Sequence, residues 1–341
     1  RSSDLRYESE GYDRAHMQLP VWQNRLIEAV AQVQPHIVVV LSNGAPVEMP
    51  WIFRVQAVLE TYLAGQASGG AVANLLYGKA NPSGHLAETF PLRLEDNPSY
   101  LNFPGAGKTV SYREGVFVGY RYYDAKSMET LFPFGHGLSY TTFATTSLRL
   151  DREEMTDRDI LTVQVGVKNT GDRAGKHTIQ LYVKNAPASA VRPVKELRAF
   201  AKVDLQPGEE REVTLTLDAR AFAYYHTDLQ DWYVESGDYE ILIGRSAEAV
   251  ECAAPIRVKS TRPLPGRYHR NSTFRELQST AAGRDLFQQV MDDYPEAKAM
   301  LKQPMFAAML QDMPLRSLAM FLPDIDEAAI DDLLQVLNQP Q

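Results

Sequence analysis

Between Val21 and Val33 the apolar residues Leu26, Ile27, Val30 and Val33 recur at helical spacing on a polar background, which predicts an amphipathic helix. Pro35 closes it. The run His36-Ile-Val-Val-Val-Leu41 follows, and a continuous β-branched stretch of this kind predicts a strand buried on both faces, as in a parallel sheet. Asn43-Gly44 turns the chain, and Val55 to Leu63 forms a second apolar run. Gly65 to Gly78 predicts a short helix packed through its small residues, and Leu86 to Phe90 a third strand. Three strands with crossover helices make only half of a doubly wound sheet, so an exposed sheet edge is expected.

The pattern then changes twice. Residues 92–140 are rich in Tyr, Gly and Pro and read as a long wrapping connector. From Thr141 to Val258 the period is two, as in Leu161, Val163, Val165 and Val167, or Ile179, Leu181 and Val183. Val213, Leu215 and Leu217 repeat it, as do Tyr239, Ile241 and Ile243, with turn signals at Asn169-Thr-Gly171, Pro207-Gly208 and Ser236-Gly-Asp238. Short alternating strands with such spacing predict an antiparallel β-sandwich. Beyond Pro263 the helical period returns. Ser272 or Thr273 is placed as an N-cap with Glu276 completing a capping box, and further turns are expected at Asp285–Asp293, Pro304–Leu310, Pro314–Phe321 and Glu327–Leu337. The expected organisation is a partial α/β sandwich over 1–91, the connector over 92–140, a β-sandwich over 141–260 and a helical C-terminal extension over 261–341. The fold class is therefore multidomain, α/β plus all-β, ending in a small helical tail.

Composition changes this picture little. The 341 residues suffice for two or three domains, and 44% hydrophobic with 23% charged residues is ordinary for globular protein. No apolar run reaches the ~20 residues of a membrane-spanning helix. A net charge of −8 without a basic cluster argues against nucleic acid as a partner. Cys252 is the single cysteine, so no intrachain disulfide forms, which points to a reducing compartment and an expected cytoplasmic location. Arg1 is neither an initiator methionine nor part of a signal peptide, so a preceding segment is expected.

There is no phosphate loop and no Gly-x-Ser-x-Gly elbow, and the seven histidines lack ligand spacing, so neither a metal nor a cofactor is expected. Gly69-Gly70 at a helix start would suit an anion, but close helix–sheet packing is the plainer reading. His136, between two glycines, reads as a turn residue. Glu8-Ser-Glu-Gly-Tyr-Asp-Arg14 gathers three acids and an arginine ahead of the first helix, where α/β sheets place functional loops; by composition alone it is a solvated acidic loop. Tyr224, Tyr225, Trp232 and Tyr233 are candidates for a sugar platform, with sandwich core and edge the simpler role.

Several segments together resemble glycoside hydrolase family 3. Glu10-Gly-Tyr-Asp-Arg14 is similar to the segment that carries that family's general acid/base. Val38-Val-Val-Leu-Ser-Asn-Gly-Ala-Pro-Val-Glu48, Gly65-Gln66, Gly78-Lys-Ala-Asn-Pro-Ser-Gly84 and Thr89-Phe-Pro91 follow in matching order. Tyr112-Arg-Glu-Gly-Val-Phe-Val-Gly-Tyr-Arg-Tyr-Tyr123 and Phe132-Pro-Phe-Gly-His-Gly-Leu-Ser-Tyr140 complete the resemblance, which spans residues 7–258. It implies a fibronectin type III-like sandwich and a retaining two-carboxylate mechanism on β-glucosides or oligosaccharides. It also implies that Glu10 is the catalytic acid/base, with Asp13 and Arg14 as loop supports; Glu8 competes but lacks the following glycine. The nucleophile would be an aspartate on an N-terminal barrel domain that has no counterpart here, so this chain alone is expected to be inactive. Within the family, β-glucosidase leads, with β-xylosidase or α-arabinofuranosidase behind it. A histidine-dependent β-N-acetylglucosaminidase fits the glutamate less well. A homo-oligomer stays open. Two other classes are a non-catalytic carbohydrate-binding module, which would not need the Glu10 loop, and a nucleotide-binding α/β protein, which would need a phosphate loop.

Overall fold

The computed structural model describes residues 9, 11–12, 14–185, 190–227, 229–262, 268–300, 302–321 and 326–338. The chain divides into two compact units, 1–261 and 262–341.

The first unit opens with helix α1 (Val21–Val33), which stops where Gln34, forced to extended backbone by Pro35, leaves the helical region. Strand β1 (Val38–Leu41) runs parallel to β2 (Ala57–Glu60), with Val38 opposite Ala57 and Leu41 opposite Glu60, and helix α2 (Ser68–Leu76) follows. Leu19, Leu41, Val47, Met49, Trp51 and Phe90 form the core of this part, and Trp51 Nε1–H donates to Asn24 Oδ1 of α1 at 2.9 Å.

Three expectations need correction here. β1 is buried on one face only: Val38 and Val40 are 49% and 41% exposed, while Val39 and Leu41 point into the core. Side chains alternate across a strand, and this chain lays one layer against its two-stranded sheet, so the other face stays open. The same cause leaves Leu26, Val30 and Val33 of α1 exposed while Ile27 packs inward. Leu86–Phe90 is not a third strand. It is pinned to the connector by one bridge, Phe90 to Phe132, and by the Leu86 and Gly135 N–H groups donating to His136 O and Leu86 O, each at 2.8 Å. Finally, Gly69 and Gly70 pack closely against nothing among the described residues, since a Cβ at either would meet no atom of them within 4 Å.

In the connector, helix α3 (Tyr120–Lys126) anchors the sandwich. Its Asp124 pairs with Lys195 at 2.6 Å, the Tyr120 ring stacks on Phe134 at 4.8 Å, and the Tyr120 hydroxyl accepts the Leu197 N–H at 2.7 Å. His136 N–H closes a turn onto Pro133 O.

The sandwich comprises β3 (Phe143–Leu150), β4 (Glu154–Thr156), β5 (Leu161–Asn169), β6 (Gly175–Lys184), β7 (Lys195–Leu205), β8 (Glu210–Leu217), β9 (Tyr224–His226), β10 (Asp231–Tyr233), β11 (Gly237–Gly244) and β12 (Val250–Lys259). One sheet runs β4-β12-β11-β6-β7 and the facing sheet β3-β5-β8, while β9 and β10 form a separate hairpin. The inward set Leu161, Val163, Val165, Val167, Ile179, Leu181 and Val183 is fully buried, because alternation places every second residue of β5 and β6 between the sheets. Between β7 and β8 the turn uses Gly208 at φ 77°, a left-handed conformation that glycine adopts without penalty. On the β9–β10 hairpin, Tyr225 and Trp232 are exposed while Tyr233 is buried. The Arg220 guanidinium lies 3.1 Å from the Trp232 ring centroid and covers it, so Trp232 serves as an edge contact rather than an open platform.

The second unit is a helical cluster: α4 (Phe274–Gln278), α5 (Ala281–Asp293), α6 (Pro295–Met300), α7 (Pro304–Gln311), α8 (Leu318–Phe321) and α9 (Glu327–Leu337). Thr273 Oγ1 accepts the Glu276 N–H at 3.2 Å, and Glu276 Oε2 accepts the Thr273 N–H at 2.9 Å, completing the expected capping box. Phe274, Leu277, Met291, Leu310, Leu315, Leu318, Ile330 and Leu334 make a separate core.

Candidate active site

β1 and β2 end side by side, and the segments leaving their carboxyl ends build the candidate site. Thr61 hydroxyl donates to Leu41 O at 2.5 Å, and Ser42 hydroxyl donates to Tyr62 O at 3.1 Å. Tyr62 takes a left-handed backbone conformation, φ 49°, with its N–H held by Glu60 Oε1 at 2.8 Å. A bulky residue in that region is strained and persists only where its surroundings hold it. After β1 the buried Asn43 side chain donates to Ala45 O at 2.9 Å and fixes a tight turn.

Two bonds tie the N-terminal loop to that turn. Arg14 Nη2 donates to Pro46 O at 2.8 Å, and Glu48 N–H donates to Met17 O at 2.9 Å. Arg14 thus does hold the loop, through a carbonyl. Further up, Ser9 and Tyr12 form an isolated antiparallel bridge, and the Gly11 N–H donates to Ser9 Oγ at 3.1 Å. Glu8, Glu10 and Asp13, which the sequence singled out, lie outside the described residues.

Beside this loop lies a cleft of about 830 Å³, lined among others by Arg14, Ala45, Pro46, Glu88, Tyr100 and Phe103. Its size falls within the ~300–1,000 Å³ of small-molecule sites, and its place at the carboxyl ends of parallel strands is where α/β sheets bind ligands. Burial pushes the Glu88 carboxyl above the ordinary carboxylate range, while the nearby Tyr62 hydroxyl and Arg14 guanidinium pull it back. The Tyr62 phenol is itself driven up by burial first and then by the charges of Glu88 and Glu60. Next to Glu88, the buried Thr89 Oγ1 has no hydrogen-bond partner among the described residues.

The structure therefore brings Arg14 near a carboxylate, Glu88, that sequence reasoning missed. Its one signal is a lone acid inside the Leu86–Phe90 segment, whose composition predicts a strand. Among the described residues no group of three or more His, Cys, Asp and Glu side chains is arranged to hold a metal ion. No described helix is long and apolar enough to cross a membrane.

Comparison with known proteins gives the family of the chain. Residues 2–140 match the glycosyl hydrolase family 3 C-terminal domain, and residues 177–247 match the fibronectin type III-like domain. The chain is 52% identical over 336 residues to thermostable beta-glucosidase B of Acetivibrio thermocellus, a match that covers 97% of this chain and 44% of that protein. It is 39% identical to an exo-alpha-(1->6)-L-arabinopyranosidase of Bifidobacterium breve, over 92% of this chain and 42% of that one. The crystal structure of a Bifidobacterium adolescentis GH3 beta-glucosidase superposes with a TM-score of 0.74 at 40% identity, covering 82% of this chain and 41% of that chain. The chain thus spans less than half the length of each of these relatives. With both domains matched in order, the chain belongs to glycosyl hydrolase family 3, of which it carries the C-terminal domain and the fibronectin type III-like domain that follows.

Proposed function

We propose that this chain is the acid/base-bearing part of a retaining β-glucosidase, with Glu10 as proton donor. The observation that carries the reading is the 52% identity, over almost the whole chain, to a protein named as a β-glucosidase. In the retaining mechanism one carboxylate attacks the anomeric carbon and forms a glycosyl-enzyme, while a carboxylic acid protonates the departing oxygen. The same acid, now ionised, then takes a proton from water as the intermediate is hydrolysed. Glu10 is assigned to that acid because the segment Glu10-Gly-Tyr-Asp-Arg14 resembles the family's acid/base segment. The tie from Arg14 to Pro46 supports a loop held at the carboxyl end of β1. The nucleophile is assigned to a barrel domain outside this chain, so the chain alone is expected to be inactive. A cytoplasmic location belongs to the same proposal.

The test is a chimera in which this chain replaces the matching segment of the Acetivibrio thermocellus relative. Nitrophenyl β-glucoside turnover by the chimera should fall steeply in Glu10→Ala and recover in part with azide, which attacks the glycosyl-enzyme without needing a base. Unchanged turnover in Glu10→Ala, or ready turnover by the isolated chain, would overturn the assignment. The Bifidobacterium breve relative supports a second reading, an L-arabinopyranosidase. A chimera preferring nitrophenyl α-L-arabinopyranoside over the β-glucoside would establish that reading instead.

A further inference from the structure

We propose that the start of β7 in the sandwich binds a small oxyanion, of the phosphate or sulfate kind, at the guanidinium groups of Arg192 and Arg198. The site involves neither Glu10 nor the cleft beside β1 and β2. β7 carries a bulge. Leu181 of β6 lies opposite Ala199 and Tyr182 opposite Leu197, so Arg198 is the extra residue. A bulge re-aims a side chain out of the regular alternation. Arg198 Nη2 donates to Glu196 Oε2 at 2.5 Å, and Arg121 Nη2 of α3 takes the other oxygen of the same carboxylate at 3.0 Å. Arg192, just ahead of β7, donates from Nη2 to Phe222 O at 3.0 Å, and its Cζ lies 5.2 Å from the Tyr224 ring centroid. These contacts fix both guanidinium groups without satisfying them. Arg192 Nε and Nη1 and Arg198 Nε are buried and have no hydrogen-bond partner among the described residues.

Charge is unbalanced at the same place. Burial pushes the Arg198 guanidinium down from its ordinary pKa; Glu196 opposes this, and the charges of Arg192 and Arg121 add to it. The carboxylates facing these three arginines among the described residues are Glu196 and Glu235, the latter beside the Tyr239 hydroxyl on which Arg192 also acts. The adjoining Lys195–Asp124 pair cancels itself. One positive charge is left over, next to three buried donor nitrogens. Water would satisfy the donors and leave the charge uncompensated in a site of low polarity, whereas a small oxyanion answers both. Burial of the three nitrogens excludes a macromolecular surface as the partner. The Arg198 and Arg121 side chains keep 18% and 30% exposure, which leaves an ion a way in from solvent.

The chain can be tested as it stands. Inorganic phosphate, titrated calorimetrically in a chloride background of constant ionic strength, should bind saturably. Arg192→Lys keeps the charge and loses the planar fork, and should weaken phosphate binding about tenfold, as expected when charge-assisted hydrogen bonds are lost. Arg198→Lys should act in the same direction, and thermal melts report whether each variant is folded. A second measurement reads the site in the wild-type chain itself. With isotope-labelled arginine, phosphate should shift arginine Nε–H resonances that chloride leaves in place, and this result decides the matter if neither variant folds. No saturable binding by the wild-type chain, arginine resonances unmoved by phosphate, or phosphate binding unaltered in a folded variant overturns the site. Thermal stabilisation that rises with phosphate without saturating, equally in wild type and variants, is exclusion of salt from the protein surface and overturns it too.

Discussion

His177, on β6, is 7% exposed, with its ring 4.8 Å from that of Phe143 on the facing sheet. Burial is the main reason its pKa falls from 6.5 to about 4, and the charges of Glu251, His85 and Arg245 modify it. The folded chain thus binds this proton less tightly than the unfolded chain does. The stability tied to the neutral ring is complete above pH 6.5 and is lost as the pH falls towards 4, with nothing more to lose below that. At ~1.4 kcal/mol per pH unit, the interval is worth about 3 kcal/mol, a sizeable part of the ~5–15 kcal/mol that holds a domain together. His177→Leu removes the titration and keeps an apolar side chain in the space. Guanidinium unfolding followed by far-ultraviolet circular dichroism, at steps from pH 7.5 to 4, should show wild-type stability falling relative to that of the variant by about this amount. Groups such as His85 and Asp124 titrate in both proteins and largely drop out of the difference. Parallel stability curves, or a His177 ring resonance titrating near its ordinary value, would refute the reasoning.

Three further outcomes are expected. Leu181→Ala deletes a fully buried side chain between the sheets and should cost about 2–5 kcal/mol in chemical denaturation. Gly137→Ala would drive a Cβ into Gly84 O and to within 2.9 Å of His85 Nδ1, which should lower stability by about 1–3 kcal/mol. The same substitution should speed hydrogen exchange at Leu86 and Gly135, whose N–H groups bond across that junction. Thr273→Ala breaks the capping box and should cost about 1 kcal/mol, seen as faster exchange at the Glu276 amide with the sandwich amides unchanged.

Much of this architecture is local information. The Val21–Val33 stripe, the alternation along β5, β6, β8 and β11, and the Thr273–Glu276 capping box all lie within a few residues, so their geometry follows from side-chain periodicity and capping chemistry. Burial does not. A β-branched run such as Val38–Leu41 reads the same whether one face or two are covered, and only the placement of other layers shows that Val38 and Val40 face outwards. Leu86–Phe90 has strand composition, yet its backbone bonds go to residues 132–136, a choice made by where the connector returns. The acid/base candidate is legible because Glu10 sits in a contiguous motif. Glu88 is not, because what distinguishes it from a solvated carboxylate is its burial opposite Arg14, 74 positions away in the sequence. The sequence by itself determined the helices, the sandwich alternation and the caps, since these depend on neighbours a few bonds apart. Only the tertiary structure decided which apolar faces are covered and which carboxylate meets Arg14 in the cleft, because burial and electrostatics are set by segments brought together through space.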